Sequence, residues 1–273
     1  MSRRRMAARR PKRAARGRGL RSRGFVLAVL AVAVLAAGVS SWLVLFQSDG
    51  PPGPPRAVIV DQLSLTFPNP DFREEATGKL EQAGYEVDYI PGEEVTVDFY
   101  RDLPKRGYDL LIIRAHAGRN YIDGEPTEDT SLFTGEPYSD TRYLDDQLQQ
   151  RLRVAFYEPR DLENENDLFF AVPPAFVRSS MKGDLDGATV ILMGCDVLRG
   201  EQLAGAFVER GAATVVGWDD QVSASHTDAA TSRLLDFLVG DGLSAEDAVA
   251  ETMAEVGADP VFGAELLTYL SEG

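Results

Sequence analysis

This chain of 273 residues holds one cysteine and two histidines, and two of these three stand just past an apolar run. Cys195 follows "ATVILMG" and His116 follows "YDLLIIRA". A thiol and an imidazole brought together can do nucleophilic chemistry: the imidazole takes or shares the thiol proton, the thiolate attacks a carbonyl carbon, and the imidazole later protonates the leaving group. Held apart, the same residues are an inert small hydrophobe and a hydrogen-bonded histidine. The third residue, His226 in "SASHTD", lies beside Ser225 and Thr227, residue types that cap helices, and reads as structural. It follows the strand "AATVVGW", so the same cleft is also open to it.

Position decides between these readings, and position comes from the surrounding elements. "RAVIVDQL" is a short β-branched apolar run and reads as a strand. "FREEATGKLEQAG" reads as a helix ended near Gly84, "YEVDYI" as a second strand, and "TVDFYRDLPKRG" as a further helix before the strand around Leu110 to Ile113. After Cys195 the pattern predicts a helix at "EQLAGAFVERG", the strand "AATVVGW", a helix at "TDAATSRLLDFLVGDG" and another at "SAEDAVAETMAEVG", with Ser244 and Asp247 as a capping pair. Strands alternating with helices predict a three-layer α/β/α domain with a mostly parallel sheet and right-handed crossovers. In such a sheet ligands gather at the carboxyl ends of the strands, where both Cys195 and His116 stand. If their strands are neighbours, thiol and imidazole face one another across one edge. A helix beginning just after Cys195 would lower the thiol pKa through its N-terminal dipole.

Residues 119–186 break the alternation. "GEPTEDTSLFTGEPYSD" and "EPRDLENEND" are acidic and polar around the short apolar piece "RLRVAFYE", and the expectation is a long loop or small hairpin near the site, followed by a helix at "PPAFVRSSMKG".

The first fifth of the chain is of another kind. Residues 1–23 carry Lys12 and ten arginines with no acid, and residues 24–46 carry no charge at all. A helix of that length spans a bilayer with some tilt. A secretory signal is the rival reading, but apolar residues run on to Phe46, which favours an uncleaved anchor. The basic flank then stays in the cytoplasm and the C-terminal domain, residues 57–273, lies outside the cell membrane beyond a Pro/Gly linker at 47–56. The eleven N-terminal cations leave 17 Lys and Arg against all 43 acids beyond them, a net charge of −26 on the exported part. Nucleic-acid binding begins with a basic surface and is excluded. A flavodoxin-like phosphate site is excluded as well, because no glycine follows the first strand in "VDQLSLTFPNP". A single cysteine forms no internal disulfide, so the exported domain depends on its apolar core.

With these elements in order, the chain resembles the caspase-like cysteine peptidases, the group that includes caspases, legumain, clostripain, gingipains and CHAT domains. The residues that carry the resemblance are His116 in "RAHAG", Cys195 in "LMGCDVLRG", and the downstream text "LAGAFVERGAATVVGWDDQVSASHTDAATSRLLDFLVGDGLSAEDAV". It covers most of Arg56 to Val256. It implies that Cys195 attacks a peptide carbonyl, that His116 protonates the leaving amine, and that backbone amides of Cys195 and of Ala117 and Gly118 hold the oxyanion. No metal or cofactor is called for, although some relatives are tuned by calcium. Ala117 stands between His116 and Gly118, where the family pattern has Gly directly after His. The two site residues are 79 positions apart against about 50 in caspases, and the acidic segment accounts for the excess.

The resemblance also places a substrate pocket near Trp218, Asp219 and Asp220, with Asp196 as a further acid. Carboxylates there would favour Arg or Lys in a polypeptide substrate; a solvated Asp-Asp turn is the plain alternative. Two functions are thus open: a membrane-anchored cysteine endopeptidase, and a catalytically silent domain of the same fold that serves as a surface interaction or sensing module.

Overall fold

The run "AVIVD" is buried along its whole length, which requires a strand covered on both faces. In the computed structural model, which describes residues 53–122, 125–157 and 168–271, this is β1, Arg56–Asp61. The basic tail 1–23, the apolar segment 24–46 and most of the linker 47–56 lie outside the described residues. No helix among the described residues is long and apolar enough to cross a membrane.

β1 pairs in parallel with β2, Glu86–Pro91, on one side and with β3, Leu110–Arg114, on the other. β3 pairs in parallel with β8, Thr189–Leu192, and β8 with β9, Thr214–Trp218. A tenth strand, β10, Leu266–Leu270, closes the edge antiparallel to β9, giving the order β10-β9-β8-β3-β1-β2.

Alternation along the strands builds two cores. Val58, Val60, Leu111, Ile113, Val190 and Leu192 face one side, with Phe99 and Tyr100 of α2 (Val97–Asp102), Phe176 of α4 (Pro174–Ser179) and Phe207 of α5 (Gln202–Glu209). Ala57, Ile59, Leu110, Ile112 and Ile191 face the other, under Phe72 and Leu80 of α1 (Pro70–Gln82), Leu234 of α6 (Ala224–Leu235) and Ala248 of α7 (Ala245–Val256). Each buried Val, Leu, Ile or Phe among them stabilises by about 1.5–3 kcal/mol, so the expected three layers follow from the two-residue period of the strands. The helix starts obey capping chemistry. Asn69 accepts from the Phe72 amide ahead of α1, and Ser244 accepts from the Asp247 amide ahead of α7.

Three expectations change. The acidic segment is neither a loop nor a small hairpin: it forms a four-stranded antiparallel sheet in the order β4-β5-β7-β6. Its strands are β4 (Ala117–Ile122), β5 (Glu125–Pro137), β6 (Arg153–Phe156) and β7 (Leu168–Val172), with the one-turn helix α3 (Leu144–Leu148) between β5 and β6. In β5 the inward positions are Thr130, Leu132, Thr134 and Glu136, so the alternation is carried partly by polar residues. Buried Glu136 accepts from the Val97 amide and forms an ion pair with Arg142. Secondly, the helix predicted at "EQLAGAFVERG" forms as α5, but turns over 196–201 precede it, so its N-terminus does not stand directly after Cys195. Thirdly, β10 is an addition to the expected elements.

Candidate active site

β3 and β8 are neighbours, and their last paired residues are Ile113 and Leu192. His116 and Cys195 each stand three positions further on, level with one another at the carboxyl edge of the sheet. Gly194 makes this possible. A Cβ on it would fall 2.8 Å from the Ala115 carbonyl oxygen, 2.7 Å from the Ala117 Cβ and 3.3 Å from the Ala117 nitrogen. Only a residue without a side chain lets the two strand ends meet this closely. The chain then turns sharply, with Asp196 in the left-handed region at φ 56°. Such a conformation in a buried non-glycine residue persists only where its surroundings hold it. Here the Asp196 amide donates to Asp220 O, the Leu198 amide to Trp218 O, and Thr130 Oγ1 to Asp196 O.

His116 is gripped from several sides. Its amide donates to Gln62 Oε1 at 2.9 Å, its carbonyl accepts from the Phe133 amide at 2.9 Å, and its Nε2 lies 2.9 Å from Thr66 Oγ1. The rings of Tyr157, Phe67 and Phe133 surround it at centroid distances of 4.8, 5.8 and 5.9 Å. Burial, with the Arg114 guanidinium adding to it, pushes the imidazole down to about 4, so it is neutral at pH 7.

Cys195 is half-buried, and its Sγ lies 3.6 Å from Val222 O and 3.5 Å from Val222 N. Burial raises the thiol pKa, and the Asp196, Asp259 and Asp220 carboxylates raise it further against the pull of Val222. The two side chains therefore turn away from each other. Thr66 follows β1, on the far side of β3, and Val222 follows β9, on the far side of β8. No hydrogen bond joins Cys195 to His116 among the described residues, and the pair rests as thiol and neutral imidazole.

Beside Cys195 opens a cavity of about 700 Å³. Ala117 and Gly118, the expected oxyanion residues, line it as the first residues of β4, and Asp196 and Asp220 line it from the loops after β8 and β9. Apart from Arg199 and Gln221, the rest of its wall is the second sheet, with Arg119, Phe133, Arg153 and Ala171. The region that breaks the sequence rhythm is thus the wall opposite the thiol.

The expected substrate carboxylates divide. Asp196 and Asp220 converge on Arg199, 3.1 and 2.8 Å from its Nη1. Burial raises the Asp196 pKa, with Arg199 holding it down; the Gln221 amide and then Arg199 lower that of Asp220. The pair that was expected to meet a substrate cation already holds one. Trp218 is fully buried with its indole N–H donating to Thr227 Oγ1, and it does not face the cavity. Asp219 exchanges hydrogen bonds with the backbone of Glu265 and serves to attach β10. His226 packs on Trp218 and reaches Gly257 O, in line with a structural role.

Sequence reasoning passed over Arg114. It is 1% exposed, and its guanidinium binds Asp61 Oδ1 at 2.7 Å, Asp228 Oδ1 and Oδ2 at 2.7 and 2.8 Å, and Phe67 O at 2.9 Å. Asp228 and Asp61 are completed by Asn69 and Tyr89. This cluster fixes the loop that carries Thr66 and Phe67 against His116. A charged residue inside "LLIIRAH" was the available signal, because a buried cation requires partners. Among the described residues no group of acids, histidine and cysteine could hold a metal ion. Compared with known proteins, the chain matches no family model and no curated protein.

Proposed function

We propose that this domain is a caspase-like cysteine endopeptidase, with Cys195 as nucleophile and His116 as proton donor to the leaving amine. The observation that supports it most is the level placement of these two residues on adjacent parallel strands, with Gly194 in contact with Ala115 and Ala117 between them. In the reaction His116 takes the Cys195 thiol proton and Sγ bonds to the peptide carbonyl carbon. His116 passes that proton to the departing nitrogen as the C–N bond breaks, and water then hydrolyses the thioester, leaving a carboxylic acid and the thiol. The amides of Cys195 and of Ala117 and Gly118, residues that line the cavity, would hold the oxyanion. Reaction requires both side chains to leave their resting partners, Val222 and Thr66. The charge pattern of residues 1–46 supports a membrane anchor with this domain outside the cell.

A second reading, a catalytically silent interaction domain, draws on the resting geometry, in which thiol and imidazole each bond to a neighbour on the far side. The two are separated by incubating the full chain with a combinatorial peptide library and reading new N-termini by mass spectrometry. The peptidase reading expects cleavage that Cys195→Ala abolishes and His116→Ala lowers by about 10²-fold or more. Absence of cleavage, or cleavage that persists in Cys195→Ala, leaves the silent reading.

A further inference from the structure

The exported part of the chain is strongly acidic, yet three arginines, Arg119, Arg153 and Arg199, line the cavity against two acids, Asp196 and Asp220. Arg199 is bound to both of those acids. The other two cations belong to the second sheet. Arg119 donates from Nε to Thr127 O, has Glu128 at 3.9 Å and acts on Asp196 and Asp220 through its charge, with no hydrogen bond to a carboxylate among the described residues. Arg153 donates from Nη1 to Gln150 O, and no carboxylate of the described residues pairs with it. A guanidinium carries five N–H donors, so each retains a fork able to meet a carboxylate in two-point fashion. Beside Arg119, Asn120 Nδ2 is a buried donor without an acceptor among the described residues, a deficit that a ligand oxygen would fill.

Register fixes how far Arg153 stands from His116, the neighbour of Cys195 at the strand ends. Arg153 pairs with Ala171, Ala171 with Phe133, and the Phe133 amide bonds to His116 O, so the four residues form one row across the sheet. Strands about 4.8 Å apart put Arg153 roughly 14 Å from His116 along that row. An extended peptide advances about 3.3 Å per residue, and long arginine and glutamate side chains can bridge part of that distance, so the span is about two to four residues.

We infer that this wall is a subsite for an acidic side chain of a bound polypeptide, two to four residues from the bond at Cys195, with Arg153 and Arg119 as its cations. This deepens the proposed function and rests on it for the polypeptide, but the subsite can be tested without catalysis. The global negative charge does not oppose it at short range, because charges beyond a Debye length of about 8 Å are largely screened.

The test uses the full chain carrying Cys195→Ala and rhodamine-labelled decapeptides of Gly and Ser, with Glu, Asp, Gln, Asn or Lys at a single scanned position. Binding is read by fluorescence anisotropy. The expected result is about ten-fold tighter binding of an acidic peptide than of its amide counterpart, the discrimination of a charged hydrogen bond. The preference should fall with added salt, vanish in Arg153→Gln, weaken in Arg119→Gln, and persist in part in Arg153→Lys. Unchanged melting temperatures show that the variants are folded. Equal binding of acid and amide, tighter binding of the Lys peptides, no binding of any peptide, or a preference that survives Arg153→Gln would each overturn the subsite. Acidic preference in a chain that cleaves nothing would retain the subsite and remove only the peptidase reading.

Discussion

Gly194 lies against Ala117 so closely that a methyl group on Gly194 would stand 2.7 Å from the Ala117 Cβ. The same methyl would meet the Ala115 carbonyl oxygen at 2.8 Å, and a backbone atom cannot rotate away. Gly194→Ala is therefore expected to destabilise by about 1–3 kcal/mol, the range for overpacking. Gly78, inside α1 with only the end of Gln82 within 4 Å, gives the opposite sign. Gly78→Ala should stabilise by about 0.5–1 kcal/mol through backbone entropy. Urea unfolding of both variants checks the pair.

His116 should titrate far below an ordinary histidine. Its imidazole is pushed down to about 4 by burial and by Arg114, and the unfolded value is about 6.5. Because the folded pKa is depressed, the neutral ring contributes stability that is fully present above pH 6.5 and is lost as pH falls towards 4. NMR titration of the ring carbon proton should find a midpoint near 4, and His116→Asn should flatten this part of the acid stability curve. A midpoint near 6.5 would show that the aromatic cage is open in solution.

Removal of Arg114 should be among the most damaging single changes. Arg114→Leu leaves Asp61 and Asp228 buried without their cation, and breaking such a cluster from one side costs about 3–5 kcal/mol. It should also loosen Phe67 and Thr66, so a new environment for the His116 ring is expected alongside the lower denaturation midpoint. Stability within 1 kcal/mol of the parent would argue against the buried cluster.

Arg199→Gln separates the two acids from their counter-ion. Burial already raises the Asp196 pKa, so without Arg199 it should rise further, and the Asp220 pKa should rise as well. Both carboxylates are then costlier when ionised. The stability deficit of the variant should grow from pH 4 to pH 7, as thermal melts across that range would register. A deficit independent of pH would mean that Arg199 acts through packing alone.

Much of the architecture was legible because one period dominates each element. "RAVIVD", "LLIIR" and "ATVIL" each hold an apolar run and became central parallel strands, and the Ser244 cap was readable from two residues. β10 was missed because "LLTYL" is an edge strand with one open face, where exposed Leu267 and Leu270 blur the alternation. The second sheet was missed because its inward positions include Thr130, Thr134 and Glu136, residues that composition assigns to solvent. At the site, strand ends located His116 and Cys195, but local sequence does not say where a side chain turns. Trp218 and Asp219 were expected at the pocket from the family resemblance, and hydrogen bonds to Thr227 and Glu265 hold them elsewhere. Arg119 and Arg153 reach the cavity only through pairings between segments distant in the chain.

Only Ala115 and His116 separate the last residue of β3 from the first of β4. The imidazole thus rides on the corner where the chain leaves one sheet for the other, and Gln62 ties that corner to Tyr157 at the end of β6. Cys195 belongs wholly to the first sheet. The two sheets share one apolar core through Leu132, Phe170 and Val172, so the imidazole is held at a corner that both of them support.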